Sequence, residues 1–496
     1  MNGLLYVFQR LPLGIEECRY IKLIAREGYE DSDFKAIIPS KRRRNCYRID
    51  KEEMLIEMTR GRSDVYDVLT HLTFMFNEAE KIGRNALNGR NQPGRPWRML
   101  KDIVKLEQLD NDQQQRATTY LSTLLGRTYS ETAEAITKFD GTSKVNSLYS
   151  ICYWLGKLSI EEKNDKTDRE IFFSSALRDQ LGHHIYGERW ATKIKQYLYD
   201  NDLLERQLHV ISANMHSVKN TLFSKAALGK KYAEKTLVKT ALDLSKKEGQ
   251  KLNDKVSKYA ESKGLVTLTD ESGVNIAVQI IDLSKINITK LPNEIKEEIN
   301  EYSVDDLILV MDYAFGEQAY EAMDELLKPF ESNGRKIKMR IGSINIMGKA
   351  GILCGDKGDI MIPNAHVFEG STDNYPFKNE LKTSQFKLDG IEVFAGTMIT
   401  VLGTSLQNED ILKYFLKSSW SAIGLEMEGA HYQKAIQVAS KIRNSISSRV
   451  KLRYAYYASD NPLKTGSTLA SGSLGAEGVE PTYAITIEIL KGILSQ

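Results

Sequence analysis

The sequence has few residues of the kinds that build disulfide frameworks, zinc sites or membrane spans. Its 496 residues include only 4 cysteines, namely Cys18, Cys46, Cys152 and Cys354, and none of them forms a C-x-x-C pair. This spacing predicts free thiols in a reducing compartment and gives no support for a zinc site. No apolar run approaches the roughly 20 residues that cross a bilayer, and the N-terminal segment lacks a signal-peptide pattern. We therefore expect a cytoplasmic protein without a membrane partner.

An excess of charge of one sign is also lacking. The formal net charge is +2, so the charge balance predicts neither a nucleic-acid partner nor an anionic membrane surface. A local basic cluster, "SKRRRNCYR" from Ser40 to Arg48, is interpreted as a solvated loop, with an anion or nucleic-acid contact as the less favoured alternative. The lysine-rich run from Lys219 to Lys263 is interpreted as a solvated helix face, with an oligomer contact as the alternative.

Two kinds of pattern divide the chain. Residues 1–205 are rich in helical periodicity, as in "DVYDVLTHLTFMFNEAEKIGRNAL", and predict a largely α-helical domain of unknown role. Residues 206–496 alternate strand-like runs such as "DDLILVMDYAFG" with helical segments such as "EQAYEAMDELLKPF". This alternation predicts an α/β domain with a mixed sheet flanked by helices. Ligands of such sheets bind beyond the strand ends, where several acidic and glycine-bearing motifs of this chain lie.

Five such motifs follow one another in a fixed order. They are "DYAFGEQA" (312–319), "MGKAGILCGDKGDIMIP" (347–363), "FAGTMITVLGTS" (394–405), "GLEMEGA" (424–430) and "YASDNPL" (457–463). Their order resembles the purine nucleoside phosphorylase superfamily, most closely the AMP nucleosidases, over residues 305–496 and weakly over 207–303. The resemblance implies a phosphorylase-like α/β fold, a small-molecule purine nucleotide or nucleoside as ligand, no cofactor or metal, and a homo-oligomer.

The chemistry of such an enzyme needs two acidic groups. Cleavage of a purine N-glycosidic bond requires a proton donor at the base and a carboxylate that supports the ribose. The resemblance implies that Asp460 is the general acid positioned by Ser459, that Glu428 accepts the ribose 2′-hydroxyl, and that Met427 packs under the sugar. Glu426, also expected in the binding site, would raise the pKa of the acid together with Glu428. Without the resemblance, the Ser-Asp pair is typical of a turn, and Glu-Met-Glu of an exposed helix start.

Further residues are expected to bind the substrate. Lys349 lies between Gly348 and Gly351 in what the sequence predicts to be a glycine-rich turn, where a lysine suits a phosphate group of a nucleotide. A solvated lysine is the alternative. Gly316, in the first motif, and Tyr375, in the run "EGSTDNYP" that resembles a GTSNDY-like run of AMP nucleosidases, complete this group.

The acceptor of the glycosyl group is expected to be water. Ile346 and Met347 stand where many phosphorylases of the superfamily carry an arginine that holds inorganic phosphate. His216 lies nearest the place of the glutamate that orients water in related nucleosidases, and Glu317 is a second candidate. Leu406 lies where several relatives carry an aromatic side chain that stacks on the base.

We therefore predict a purine nucleotide N-glycosidase that hydrolyses AMP to adenine and ribose 5-phosphate. The alternatives are a nucleoside phosphorylase or nucleosidase, an ATP-depleting nucleosidase effector, and a non-catalytic nucleotide sensor. The adjacent His183 and His184 point apart on regular elements and do not predict a metal site.

Overall fold

The computed structural model of the chain describes residues 2–106, 109–140, 147–165, 167–297, 305–371, 373–403, 408–465 and 475–495. The chain forms two compact units, Met1–His183 (unit 1) and His184–Gln496 (unit 2). The sequence-based boundary at residue 205 lies further along the chain. The structural boundary comes earlier because the helix Ile185–Asp200 contributes Trp190 and Ile194 to the core of unit 2.

Unit 1 is largely helical, as the sequence predicts, and also contains a small sheet that the sequence did not reveal. Its helices are α1 (Asn2–Phe8), α2 (Gly61–Ala86), α3 (Arg95–Val104), α4 (Asn111–Leu125), α5 (Tyr129–Asp140), α6 (Leu148–Asp165) and α7 (Ser175–Gln180). Its strands are β1 (Tyr20–Ile24), β2 (Cys46–Arg48), β3 (Glu53–Glu57) and β4 (Glu170–Phe173), in the sheet order β2-β3-β1-β4. In α2, Val68, Leu72, Met75 and Ala79 recur at three- and four-residue spacing and are buried in the core.

Unit 2 alternates strands and helices. Its helices are α8 (Ile185–Asp200), α9 (Ser217–Leu228), α10 (Lys230–Ala233), α11 (Leu237–Ser245), α12 (Gln250–Glu261), α13 (Asn293–Lys296), α14 (Gln318–Leu326), α15 (Glu409–Lys417), α16 (Gly429–Gln437), α17 (Pro462–Thr465) and α18 (Val479–Leu494). Its strands are β5 (Gln207–Ser212), β6 (Leu265–Leu268), β7 (Val278–Asp282), β8 (Leu307–Met311), β9 (Phe330–Ser332), β10 (Arg335–Ile337), β11 (Arg340–Ile352), β12 (Ile360–Phe368), β13 (Asn374–Pro376), β14 (Val393–Thr400), β15 (Ala422–Glu426) and β16 (Lys451–Asp460).

Ten of these strands form one mixed sheet with helices on both faces. The order is β13-β12-β14-β15-β11-β5-β8-β7-β6, and β16 pairs with both β11 and β12. Alternate residues of β5 point to opposite faces, so Leu208 and Val210 join the core that contains α8, α14 and α16. Ile211 joins the core that contains α9, α12 and α18. The predicted mixed α/β fold is therefore confirmed.

The double pairing of β16 closes part of the sheet. Strands β11, β15, β14, β12 and β16 are each hydrogen-bonded to the next, and β16 returns to β11. The carboxyl ends of β14, β15 and β16 carry the Thr400, Glu426 and Asp460 side chains. In the described part of the chain, no helix has the length and apolar character needed to span a membrane.

Candidate active site

One residue of β11 pairs with both strands that carry the acidic motifs Glu-Met-Glu and Ser-Asp. Gly351 is paired with Leu425 of β15 on one side and with Asp460 of β16 on the other. The Glu-Met-Glu and Ser-Asp motifs, more than thirty residues apart in sequence, are therefore neighbours across a single strand. A shift of register between Ala350 and Gly351 marks this point, as is common for bulges beside functional sites.

The central sheet splits beside this point. Along β11, pairing with β5 reaches Ile346, and pairing with β15 begins at Gly351. Between them, Gly348 and Lys349 are paired with β16, and the Lys349 side chain is exposed. The predicted glycine-rich turn at these residues is wrong, because pairing with β16 holds the segment extended up to Ile352. Lys349 thus projects from a strand rather than from a loop.

Both carboxylate oxygens of Glu426 accept hydrogen bonds from other groups of the protein. This residue is buried at the end of β15, where one carboxylate oxygen accepts from the Thr400 hydroxyl and the other from the backbone N–H groups of Glu428, at 2.5 Å, and of Gly429. Thr400 in turn accepts from the backbone N–H of Ala430 at 2.9 Å. Burial raises the pKa of Glu426 to about 7, although these hydrogen bonds act in the opposite direction. The contacts assign Glu426 to holding the start of α16 rather than to facing a substrate.

Glu428 lies half-buried at the entrance of α16. One of its carboxylate oxygens accepts the backbone N–H of Gly316 at 2.8 Å, which links the turn after β8 to the end of β15. Burial raises the pKa of Glu428 to about 8, the neighbouring Glu426 adds to the rise, and Lys349 lowers it. The influence of Lys349 shows that the ammonium and carboxylate groups lie within electrostatic range of each other.

The Ser-Asp pair is buried and braced from both sides. The Ser459 hydroxyl donates to an Asp460 carboxylate oxygen at 2.6 Å and lies 3.2 Å from the carbonyl oxygen of Ala350. The next residue, Asn461, donates to the carbonyl oxygen of Gly355 at 2.8 Å and so fixes the turn after β11 beside the pair. Ser459 therefore contacts Asp460 directly, and its role in positioning a general acid stays a prediction.

Aromatic side chains of β12 and β16 pack against the start of α16. His366 of β12 stacks on Phe377 and lies 3.1 Å, through Nε2, from the Tyr456 hydroxyl of β16. A Cβ atom placed on Gly429 would overlap the His366 ring and lie 2.7 Å from the Tyr456 hydroxyl oxygen. Burial lowers the pKa of His366 to about 3, so the ring is neutral. Only glycine lets the backbone that follows Glu428 pack this closely against His366 and Tyr456.

The remaining predicted residues surround these groups. Met427 is buried in an apolar cluster with Leu425 and Leu353. Glu317 stands next to Gly316 at the N-cap of α14. The Tyr375 ring lies 5.9 Å from that of Phe368, at the β13 edge of the sheet. Leu406 lies outside the described residues.

His216 lies at the N-cap of α9, beyond the end of β5. Its Nδ1 is 3.5 Å from the hydroxyl oxygen of Tyr483, which accepts a hydrogen bond from Asn220 at 3.0 Å. Burial lowers the pKa of His216 and Lys219 adds to the effect, whereas the nearby Asp312 raises it. His216 is nevertheless exposed, its described side-chain contact is with Tyr483 of α18, and no contact with Glu428 or Asp460 is among those described.

Sequence reasoning missed three residues that shape the site. Thr400 receives no signal from composition, because a threonine at a strand end is common. His366 and Tyr456 lie within apolar strands and meet only after β12 and β16 pair. The glycine of "EMEG" was the available signal, since it stands directly after the acidic pair where a helix begins.

The described residues contain one group with the spacing of a metal site, made of His184, Asp324 and Glu325. Arg443 lies 2.6 Å from a carboxylate oxygen of Asp324, and Lys328 lies 2.5 Å from one of Glu325. Since both carboxylates are already paired with cations, the donor set does not fit a metal ion.

The fold and the split sheet define a mixed α/β protein with a candidate acid–carboxylate site at its strand ends. The chain belongs to a family of unknown function, DUF6909, whose model matches residues 1–243 and 237–495. No curated protein matches the chain.

Several solved structures are similar to this chain. The 5′-methylthioadenosine/S-adenosylhomocysteine nucleosidase of Campylobacter jejuni matches with 11% identity and a TM-score of 0.34, over 58% of this chain and 98% of that one. The futalosine hydrolase of Helicobacter pylori matches with 10% identity and a TM-score of 0.32, over 58% and 99%. The Neisseria meningitidis nucleosidase bound to methylthio-immucillin-A matches with 11% identity and a TM-score of 0.32, over 58% and 99%. These similarities do not identify a substrate, and the resemblance to AMP nucleosidases stays a prediction.

Proposed function

We propose that unit 2 is a purine nucleotide N-glycosidase that hydrolyses AMP to adenine and ribose 5-phosphate. The observation that carries the proposal is the pairing of Gly351 with both Leu425 and Asp460, which brings a braced aspartate and an acidic pair to one strand. A pure sensor needs no proton donor at this place, whereas glycoside hydrolysis needs two acidic groups with different tasks.

The two groups divide the reaction between them. Asp460, held by Ser459, donates a proton to the purine as the bond from C1′ to the base nitrogen breaks. Glu428 in its ionised form accepts the ribose 2′-hydroxyl and supports the positive charge on the sugar. Water supplies the hydroxyl group that joins C1′, and its remaining proton restores the acid. Glu426 holds the backbone N–H groups of Glu428 and Gly429 and so keeps the catalytic carboxylate in place.

Lys349 supports a nucleotide rather than a nucleoside as the substrate. Its side chain is exposed on β11, and its charge is felt by Glu428. A substrate phosphate beside Lys349 would pair with the ammonium group while the ribose reaches the carboxylate. His216, Glu317 and Tyr375 remain candidates for binding the attacking water and the rest of the substrate.

The test is release of free base. We expect the purified chain to release adenine from AMP faster than from ATP, adenosine or methylthioadenosine. Asp460→Asn should cut turnover by at least about 100-fold, because a positioned general acid contributes on this scale. The matched control is Asp356→Asn, an exposed carboxylate on the neighbouring turn that pairs with Lys464, which should leave turnover unchanged.

Two outcomes would contradict the proposal. Normal turnover by Asp460→Asn would remove this residue from the mechanism. Absence of free base from all four substrates, with a folded protein by circular dichroism, would leave the sensor alternative.

A further inference from the structure

Unit 1 contains a cluster of charged side chains that the proposed reaction does not use. The arginine–aspartate cluster consists of Arg10, Arg42, Arg44, Arg60, Asp64, Asp67 and His71. Each of these side chains is at most 10% exposed. Buried guanidinium and carboxylate groups are costly unless their hydrogen-bonding capacity is met. The cluster therefore raises the question of what satisfies it.

The ion pairs within the cluster use three of the four carboxylate oxygens. Arg42 holds Asp67 with two hydrogen bonds of 2.7 and 2.8 Å, and Arg44 donates to the same aspartate at 2.8 Å. One oxygen of Asp64 accepts from Arg44 at 2.6 Å and from Arg60 at 2.8 Å. The second oxygen of Asp64 has no hydrogen-bond partner among the described residues.

Several donors in the cluster are likewise unused within the described part of the chain. They are Nε and one terminal nitrogen of Arg44, Nε of Arg10, and Nε2 of His71. Arg44 is 2% exposed and His71 is 0% exposed, so bulk water does not reach these groups. His71 is neutral, because burial lowers its pKa to about 4, and a neutral imidazole offers one N–H. The unused groups are thus several donors and two acceptors, which are the second oxygen of Asp64 and the unprotonated ring nitrogen of His71.

We propose that the arginine–aspartate cluster binds a hydrogen phosphate ion. Its oxygens would accept from Arg44 and Arg10, and its single P–O–H group would donate to the free oxygen of Asp64. The four guanidinium groups of the cluster face two carboxylates, so a dianion also balances the charge of the cluster as defined. Sulfate has the same shape but no O–H group at neutral pH, and it would place a charged oxygen against Asp64.

The elements that meet at the cluster suggest what the ion does. Arg42 and Arg44 come from the irregular segment before β2, whereas Asp64, Asp67 and His71 lie on the first turns of α2. A bound phosphate would join this segment to the helix. Its presence should therefore raise the stability of unit 1.

The first experiment measures binding to the full-length chain after removal of phosphate. Titration calorimetry with inorganic phosphate and, separately, with sulfate should show phosphate binding at least about 10-fold tighter, which is the loss expected when one hydrogen bond to a charged group is replaced by repulsion. The thermal midpoint of the wild type should rise more in phosphate than in sulfate at equal ionic strength. This comparison needs no variant and is unaffected by a folding defect.

Three variants locate the site. Arg10→Gln should weaken phosphate binding by about 10- to 150-fold, because it removes a charged donor. Lys41→Gln, an exposed cation in the same segment, should leave binding unchanged. Lys349→Ala should also retain phosphate binding, which separates this site from the proposed active site of unit 2.

The outcomes decide the proposal in either direction. Equal affinity for sulfate and phosphate would overturn the hydrogen phosphate assignment. Loss of phosphate binding in Lys349→Ala, with Arg10→Gln unaffected, would move the site to unit 2. No heat with phosphate, together with no phosphate released when the purified protein is denatured in acid, would leave a purely structural cluster.

Discussion

The two glutamates that flank Met427 differ in what surrounds them, and this difference fixes their tasks. Glu426 accepts hydrogen bonds on both oxygens, from the Thr400 hydroxyl and two backbone N–H groups. Glu428 interacts with the backbone N–H groups of Gly316 and Met427. Both lose solvation, and two neighbouring carboxylates disfavour each other's ionised form. The hydrogen bonds favour ionisation of Glu426, so Glu428 is the member of the pair that keeps a proton at neutral pH.

The activity should therefore depend on pH through Glu428. Because burial raises the pKa of Glu428 to about 8, the ionised form that supports the ribose cation is a minority at pH 7 and grows as the pH rises. We expect kcat/KM for AMP to fall by about tenfold for each pH unit below this value. A pH profile of kcat/KM measures the effect, with Glu428→Gln expected to lose both activity and this acidic limb. A profile that is level from pH 6 to 8.5 would contradict the assignment.

Lys349 makes a prediction about substrate choice. Lys349→Ala should lower kcat/KM for AMP by roughly 10- to 150-fold while changing adenosine little, since a hydrogen bond to a charged group contributes about 1.5–3 kcal/mol. Added salt should weaken AMP turnover by the wild type more than by the variant. Lys357→Ala, another exposed lysine beyond β11, serves as the control. An equal loss for both substrates would mean that Lys349 supports the strand only.

At the scale of elements, α16 depends on a single glycine. Gly429→Ala would place a methyl group against His366, which is stacked on Phe377, and against Tyr456, so the start of α16 must move. We expect the free energy of unfolding to fall by about 1–3 kcal/mol, as for overpacked cores. Turnover should fall as well, because Glu428 directly precedes Gly429.

Urea unfolding and base release measure the two effects of Gly429→Ala. Gly89→Ala is the matched control, since a Cβ there meets nothing within 4 Å. A Gly429→Ala protein that is as stable and active as the wild type would show that His366 and Tyr456 can shift without loss of stability.

The sequence predicted the strands and helices of unit 2 well because their patterns are local. Strand β8 is a continuous apolar run, β16 contains the run Tyr454–Ala458, and α14 and α16 have clear helical periodicity. The order of the motifs predicts a shared site for Glu428 and Asp460, and this stays a prediction.

The failures involve contacts between distant residues. "GKAGIL" contains two glycines and by itself predicts a turn, but pairing with β16, about a hundred residues later, holds it as a strand. The tasks of Glu426 and Thr400 likewise depend on the pairing of β14 with β15. In unit 1, β1 pairs in parallel with β4, about 150 residues away, and no local periodicity reports such a sheet.

At the scale of the whole molecule, buried titratable groups set how stability depends on pH. In unit 2, burial raises the pKa of Glu426 to about 7 and that of Glu428 to about 8, and it lowers the pKa of His366 to about 3. In unit 1, burial raises the pKa of Glu16 to about 8 and lowers that of His71 to about 4. The raised carboxyls bind more protons in the folded state near neutral pH, whereas the histidines bind more in the unfolded state.

The raised carboxyls and the lowered histidines act on stability in opposite directions as the pH changes. A raised carboxyl pKa gives stability that is lost as the pH rises towards that pKa, and a lowered histidine pKa gives stability that is lost as the pH falls below 6.5. In unit 2 the raised pKa values of Glu426 and Glu428 favour a fall in stability between pH 5.5 and 7.5, and the lowered pKa values of His366 and His216 oppose it. The histidines act below their unfolded pKa of about 6.5, so above this pH the carboxyls decide and the stability of unit 2 should fall.

Scanning calorimetry across this pH range measures the prediction through the unfolding midpoints. Glu428→Gln should flatten the dependence of unit 2, because it removes one of the two carboxyls. A midpoint for unit 2 that rises steadily from pH 5.5 to 7.5 would contradict it.

The split in the sheet affects which positions beside the acidic pair can change during evolution. At residue 349 the main chain is fixed by its pairing with Tyr457, while the side chain is exposed and lies within electrostatic range of Glu428. Under the proposed function, a mutation at residue 349 changes the group that meets the substrate, and exposed strand positions tolerate many residues. By contrast, a side chain at residue 429 would collide with the side chains of His366 and Tyr456. We therefore expect the residue type to vary more at position 349 than at position 429 among related chains.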